Sequence, residues 1–209
     1  MKKKPIIVLG AGGHARSCID IIEQGKEFYV AGLVVNESEI DEELFDYSVI
    51  ASDAELEMLV EKYHHAVIGV GQISTARHRI RLYELVLGAG FGLPTIIAPS
   101  AHVSPRASIG QGSIVMSGAV INAGVVIGNN CIVNTNATIE HDTVIGSNCH
   151  ISTGAIVNGS VVIGDNTFVG SGSVIKEGLT IGSSSMIGMG LSLRSNIAEE
   201  TKFLGEVKY

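Results

Sequence analysis

The sequence predicts two folds in tandem: a small Rossmann-like α/β unit, a βαβ parallel sheet, over residues 1–98, then an all-β left-handed parallel β-helix of hexapeptide repeats over residues 99–209. Three observations predict it. Short apolar runs alternate with segments of helical spacing through the first half. From Val103 the apolar period changes to six and holds without insertion to Leu193. Glycine is abundant at 26 of 209 residues while charged residues make up only 17%, the balance of a turn-dense chain.

In the first half, Ile6-Ile7-Val8-Leu9 is a continuous apolar run of the buried parallel-strand kind. It runs into Gly10-Ala11-Gly12-Gly13-His14-Ala15. Residues Ala15 to Gln24 then carry helical spacing, with Cys18, Ile19 and Ile22 on one side and Gly25 as a stop. Tyr29 to Val35 reads as a second strand. Ser52 opens a helix expected to reach about Tyr63, and Glu55 completes an S-x-x-E capping box. Ala66 to Val70 is a third strand, Ser74 to Leu87 a helix ended by Gly88, and Thr95 to Ala98 a short closing strand. Strands alternating with helices imply βαβ units.

In the second half, stepping by six from Val103 to Leu193 gives sixteen positions, all aliphatic. Four residues after each stands mostly a small group, as at Ala119, Cys131, Ala137 and Cys149. Such a hexad forms one short side of a triangular coil, with the aliphatic and small residues facing a cramped axis. Glycine, Asn and Asp serve the corners, where positive φ or local side-chain bonds are needed. Three hexads make an eighteen-residue coil, and sixteen make a column of a little over five coils, roughly 25 Å tall at about 4.8 Å per strand.

A net charge of −7 argues against nucleic acid as a partner, since backbone binding needs a basic face. No run approaches the length of a membrane span, and Pro5 to Gly10 is too short for a signal-peptide core, so a cytoplasmic location is expected. Cys18, Cys131 and Cys149 form no zinc pattern. Cys131 and Cys149, eighteen apart, are expected to stack in the interior as small buried hydrophobes rather than as a bridge.

The repeat looks like that of the left-handed β-helix acyltransferases. Paired with the G-A-G-G-H opening, with Pro99-Ser100-Ala101-His102-Val103-Ser104-Pro105 at the junction and with Ile139-Glu140-His141-Asp142, it resembles the NeuD/PglD-like family of sugar O- and N-acetyltransferases. That resemblance implies acetyl-CoA as co-substrate, a homotrimer holding it between neighbouring prisms, and a nucleotide-linked amino sugar or a sialic acid as acceptor. Members usually finish with a G-x-P-A-K/R segment near the CoA nucleotide. Here the end reads Phe203-Leu204-Gly205-Glu206-Val207-Lys208-Tyr209, which leaves Lys202 or Lys208 as candidate substitutes.

Residues eighteen apart stack, so His141 sits between Ala123 and Gly159 with open space on both sides. It is the expected general base; the alternative is a solvated corner histidine. The resemblance gives Glu140 the role of orienting that imidazole, against a plain polar residue bonded to Asn122 and Asn158. Asp142 reads as a turn residue. His150, in an apolar outward column, is either an interface residue or a contact to acetyl-CoA, and Gly159, Gly170 and Gly190 are assigned to the same cofactor. The loop fits a phosphate-binding fingerprint, but no acidic residue ends the second strand at Val34-Val35-Asn36. Gly10, Gly12, Gly13, His14 and Asn36 are therefore read as the site for the nucleotide of a sugar substrate; the alternative is that the glycines serve only the backbone. His102, His141 and His150 are spaced by 39 and 9 residues and do not converge on one coil, so no metal is expected. The expected activity is N-acetylation of a nucleotide-linked 4-amino sugar. Sialic acid O-acetylation is the alternative reaction, and a catalytically silent trimer that binds a sugar nucleotide the alternative of another kind. A nicotinamide-dependent reaction comes last.

Overall fold

A computed structural model describes residues 2–37 and 43–205 of the chain. The N-terminal sheet contains β1 (Lys4–Leu9), β2 (Phe28–Val35), β3 (Glu43–Leu44), β4 (Tyr47–Ser52) and β5 (Ala66–Ile68), in the order β3-β4-β2-β1-β5. All neighbours are parallel except the β3–β4 hairpin. Because β1 lies between β2 and β5, the chain leaves it toward opposite sides. The crevice beyond its carboxyl end is where α/β sheets take ligands.

Helix α1 (Gly13–Gln24) buries Ala15, Cys18, Ile19, Ile21 and Ile22, and the Gly25 N–H closes it on the carbonyls of Ile21 and Ile22. Helix α3 (Arg77–Gly88) buries Leu82 and Val86 against the sheet. Three local expectations change. The Ser52–Glu55 capping box forms, yet it opens a 3₁₀ turn followed only by α2 (Leu56–Leu59). Leu56 is the sole buried residue of that helix, so no apolar face carries it to Tyr63. Strand β4 was not expected. Its Val49 and Ala51 extend the sheet beside Leu33 and Val34, a half-buried edge whose alternation is short. The strand expected at Thr95–Ala98 forms as Ile96–Ile97, but it pairs with Ile114–Val115 and so begins the coil.

From there the chain winds as a left-handed parallel β-helix with three faces. The first face has six strands beginning at His102–Val103, the second five beginning at Ser108–Ile109, and the third seven from Ile96–Ile97 to Lys202–Phe203. Register advances by eighteen, as in Ile121 beside Ile139 beside Val157. Only the last rung is shorter, with Met186 beside Lys202. The inward aliphatics from Val115 to Leu193 are at most 2% exposed, and their close packing is what a one-residue slip would forfeit. Polar residues in the second inward slot are satisfied by the next coil. Ser113 Oγ donates to the Gly128 carbonyl (2.9 Å), Thr143 Oγ1 to Asn158 (3.0 Å) and Ser173 Oγ to Gly188 (2.6 Å). Cys131 and Cys149 fill that slot as free thiols, each directed at a carbonyl fifteen residues on.

An apolar seam of Ile21, Ile22, Phe28, Ile96, Ile114 and Met116 joins sheet and coil. Beside it lies Arg79, fully buried. Its guanidinium donates to the carbonyls of Ile68 (2.7 Å) and Val70 (2.8 Å) at the end of β5, and to Asn130 (3.2 Å) and Gly112 (3.3 Å) of the coil. A buried charge without a carboxylate is tolerable only when its donors are met in this way.

Candidate active site

His141 stands on the edge between the first and second faces. The next residue, Asp142, takes a left-handed φ of 58°, which swings its carboxylate back onto the ring. Asp142 Oδ2 lies 2.9 Å from His141 Nδ1. An ionised carboxylate only accepts, so Nδ1 carries a proton, and in the neutral ring Nε2 keeps its lone pair. A glycine clears each side of the pair. A Cβ on Gly124 would collide with the Asp142 carboxylate, and one on Gly159 would lie 2.7 Å from His141 Nε2. The edge opens into a groove of about 490 Å³ lined by Glu140, His141, Asn158, Gly159, Glu177 and Gly178, among others.

Glu140 does not hold the imidazole in this chain. Its Oε2 accepts from Asn122 Nδ2 at 2.8 Å, because residue 140 points outward in the asparagine column of the first face. The carboxylate at His141 belongs to the residue read from sequence as a turn.

His150 is not a free outward histidine. It is 6% exposed, packed edge-on against Phe168 at 5.2 Å, and covered by the loop after β5. Nδ1–H donates to the Gln72 carbonyl (2.7 Å), while Nε2 lies 3.0 Å from Asn134 Nδ2, which donates to it. Both nitrogens of a neutral ring are thus engaged. Burial first, then Arg79, lowers its pKa to about 4 against the opposing pull of the Gln72 carbonyl. Near neutral pH the ring therefore stays uncharged. The sequence offered His150 as an interface residue or a cofactor contact, and the interface it forms is between the two halves of its own chain.

His14, in the first turn of α1, faces the same seam. Burial, then Arg79 and His150, lowers its pKa to about 3. His14 Nε2 and Gln72 Oε1 are buried without a hydrogen-bond partner among the described residues. Both residues line an open cleft of about 760 Å³ with Ser17, Thr75, Asn134 and Thr135. Through Val70 and His78 this cleft meets a smaller one of about 260 Å³, which contains Gly10, Asn36, Asp53 and Arg81. The loop glycines divide into two kinds. Gly10 has a backbone need, with φ of 104° and a Cβ position 2.9 Å from Val70. Gly12 and Gly13 have none: a Cβ there would meet nothing, and both are exposed at the N-terminus of α1. They leave bare backbone N–H groups at a helix start, which suits phosphate.

The expected residues therefore fall into separate places within one chain. His141, Glu140 and Gly159 share one edge; Gly10, Gly12, Gly13, His14 and Asn36 share the sheet crevice. Gly170 and Gly190 lie on the edge between the third and first faces. Gly170 packs against the Gly188–Met189 backbone of the next coil, and Gly190 serves a turn with φ of 67°. Sequence reasoning missed Gln72 and Arg79. Arg79 was detectable, since Arg79, Leu82 and Val86 share helical spacing on the face that is buried. Gln72 sits in a loop without periodicity and gave no signal. No group of three or more His, Cys, Asp or Glu able to hold a metal occurs among the described residues. No helix among them is long and apolar enough to cross a membrane.

Comparison with known proteins follows the same division. The PglD N-terminal domain matches residues 5–84, the bacterial transferase hexapeptide (six repeats) residues 124–159, and the hexapeptide repeat of succinyl-transferase residues 160–195. No curated protein matches. Among solved structures, a variant of perosamine N-acetyltransferase from Caulobacter crescentus in complex with CoA and GDP-perosamine is 30% identical. It covers 96% of this chain and 93% of its own, with a TM-score of 0.90. The acetyltransferase domain of PglB from Neisseria gonorrhoeae, in complex with acetyl coenzyme A, is 31% identical over 94% of both chains, with a TM-score of 0.86. WeeI from Acinetobacter baumannii shares the fold at 21% identity and a TM-score of 0.81.

Proposed function

The chain belongs to the NeuD/PglD-type family of acetyl-CoA-dependent sugar acetyltransferases, and from that premise we propose that it acetylates the amino group of a nucleotide-linked 4-amino sugar with His141 as general base. One observation carries this reading: Asp142 holds His141 by Nδ1 and leaves Nε2 facing a groove kept clear by Gly159. Asp142 is the positioning residue. It fixes the tautomer and stabilises the imidazolium once Nε2 has taken the amine proton. As the amine nitrogen bonds to the thioester carbonyl carbon, that carbonyl becomes an oxyanion. The Gly159 N–H, which makes no hydrogen bond among the described residues, is placed to receive it. Collapse breaks the carbon–sulfur bond. The CoA thiolate leaves and recovers the proton from His141.

The crevice supplies the acceptor side. The N–H groups of Gly12 and Gly13 meet the diphosphate, the smaller cleft beside Asn36 holds the base, and His14 and Gln72 offer their unpartnered atoms to the sugar. The solved relative bound to GDP-perosamine supports a nucleotide-linked amino sugar as the substrate class. His141 and this crevice occupy different parts of one chain, so the working unit is a homotrimer in which one subunit's base serves a neighbour's acceptor.

Thiol release from acetyl-CoA, measured with a panel of nucleotide-linked 4-amino sugars beside a free sialic acid, tests the reading. Turnover is expected with an amino sugar, and His141→Ala should lose about 10²- to 10⁴-fold in kcat. Turnover with sialic acid alone, or wild-type rates in the His141 variant, would reject it.

A further inference from the structure

The first face carries an outward column one residue beyond its strands: Asn122, Glu140, Asn158, Lys176, Arg194. Between residues 103 and 209 the sequence has only five basic residues, Arg106, Lys176, Arg194, Lys202 and Lys208. Two of the five are stacked in this one column, above Glu140 and Asn158. Both are exposed, and neither side chain has a hydrogen bond or ion pair among the described residues. They line a groove of about 430 Å³ together with Asn158 and Glu177. Asn158 and Glu177 also line the groove at His141, so the two are continuous.

We infer that Lys176 and Arg194 form the anion site that anchors the phosphates of CoA. This deepens the acetyl-CoA-dependent reading above and rests on it. Distance supports it. Residue 194 lies three coils above residue 140, about 14 Å at the spacing of stacked strands. The pantetheine arm between sulfur and pyrophosphate has some thirteen bonds, a little over four residue lengths, or roughly 15 Å extended. A thioester at His141 therefore puts its pyrophosphate level with Arg194, with Lys176 one coil below. Of the candidates considered from sequence, Lys202 fits less well, since it stands on the third face beside Met186, and Lys208 lies outside the described residues. Arg106 is the one cation below His141, two coils down in the Asp142 column. It stands alone and lines none of these grooves. Glu177 shares the groove as its one carboxylate and is placed to repel the same phosphates.

Calorimetric titration of the full chain with CoA, and with pantetheine as the phosphate-free probe, tests the site. Lys176→Ala/Arg194→Ala should weaken CoA by about 10- to 100-fold, the size of losing charge-assisted bonds, and leave pantetheine unchanged. The affinity of the wild type should fall with added salt, and that of the double variant should be much less sensitive to it. In turnover the loss should fall on KM for acetyl-CoA rather than on kcat, and Glu177→Gln should act in the opposite direction. CoA affinity unchanged in the double variant but lost in Arg106→Ala, or an equal loss of pantetheine, overturns the assignment while the acetyltransferase reading stands. A wild-type chain that binds neither CoA nor pantetheine brings down both.

Discussion

A methyl group at residue 159 would reach within 2.7 Å of His141 Nε2, closer than real carbon contacts allow. Gly159 is not at a positive φ, so Gly159→Ala should fold normally and block the atom proposed to take the proton. Its kcat is expected to fall by 10²-fold or more, approaching His141→Ala, with an unchanged melting temperature. An active Gly159→Ala would mean that Nε2 does not face the acceptor. The neighbouring carboxylates make a paired prediction. Asp142→Asn should cost about 10- to 100-fold in kcat, as loss of a partner that orients an imidazole does, while Glu140→Gln should cost little. The reverse order in a steady-state assay would return the orienting role to Glu140. The setting of the proposed base was legible, because a histidine stacked between Ala123 and Gly159 shows up in any eighteen-residue alignment of the chain with itself. Its partner was not. Whether residue 140 or residue 142 meets the ring depends on the backbone at the corner, and the φ of 58° at Asp142 leaves no mark in a one-letter string.

At the scale of elements, the loop between β5 and α3 decides how sheet and coil sit together. It holds His150 from above through the Gln72 carbonyl, and Gln72 Nε2 donates to the Asn148 carbonyl of the coil at 2.7 Å. Burial keeps His150 and His14 neutral, with pKa values of about 4 and about 3. In the unfolded chain both would take up protons below about pH 6.5. Stability contributed by their neutral burial is therefore whole above pH 6.5 and is lost as pH falls from there toward the folded values. Each ring withdraws on the order of 3 kcal/mol by about pH 4. Thermal midpoints measured at steps from pH 7 to pH 4 should fall, and His150→Gln should flatten part of the slope. Parallel curves for the two proteins would show that His150 is not held neutral. Much at this scale could be read beforehand. The period of six set the coil strands from His102–Val103 to Ser192–Leu193, and the apolar runs set β1, β2 and β5. The strands at Tyr47–Ser52 and Ile96–Ile97 were placed by their pairing partners, which local pattern cannot supply.

In the whole molecule, the proposed base and the proposed acceptor crevice lie on different parts of one chain, and an apolar column flanks the edge that carries His141. Val126, Val144 and Val162 form a column on the second face, each between 42% and 46% exposed, next to the edge that carries His141. An aliphatic stripe of this kind suits contact with a second copy. Covering it with a second copy turns a one-sided ledge into a groove with two walls. In a closed ring each subunit would then give its base to one neighbour and its crevice to the other. Such sharing makes a prediction that no single-chain site can meet. His141→Ala lacks the base, and Gln72→Ala loses a side chain of the crevice, yet each keeps the half that the other has lost. If the second variant alone has low activity, subunits mixed at equal amounts and allowed to exchange should regain about a quarter of the wild-type rate, since each site needs an intact base and an intact crevice drawn independently. Rates that merely average the two variants would place both halves of the site in one chain, and the homotrimer would then have no part in the chemistry.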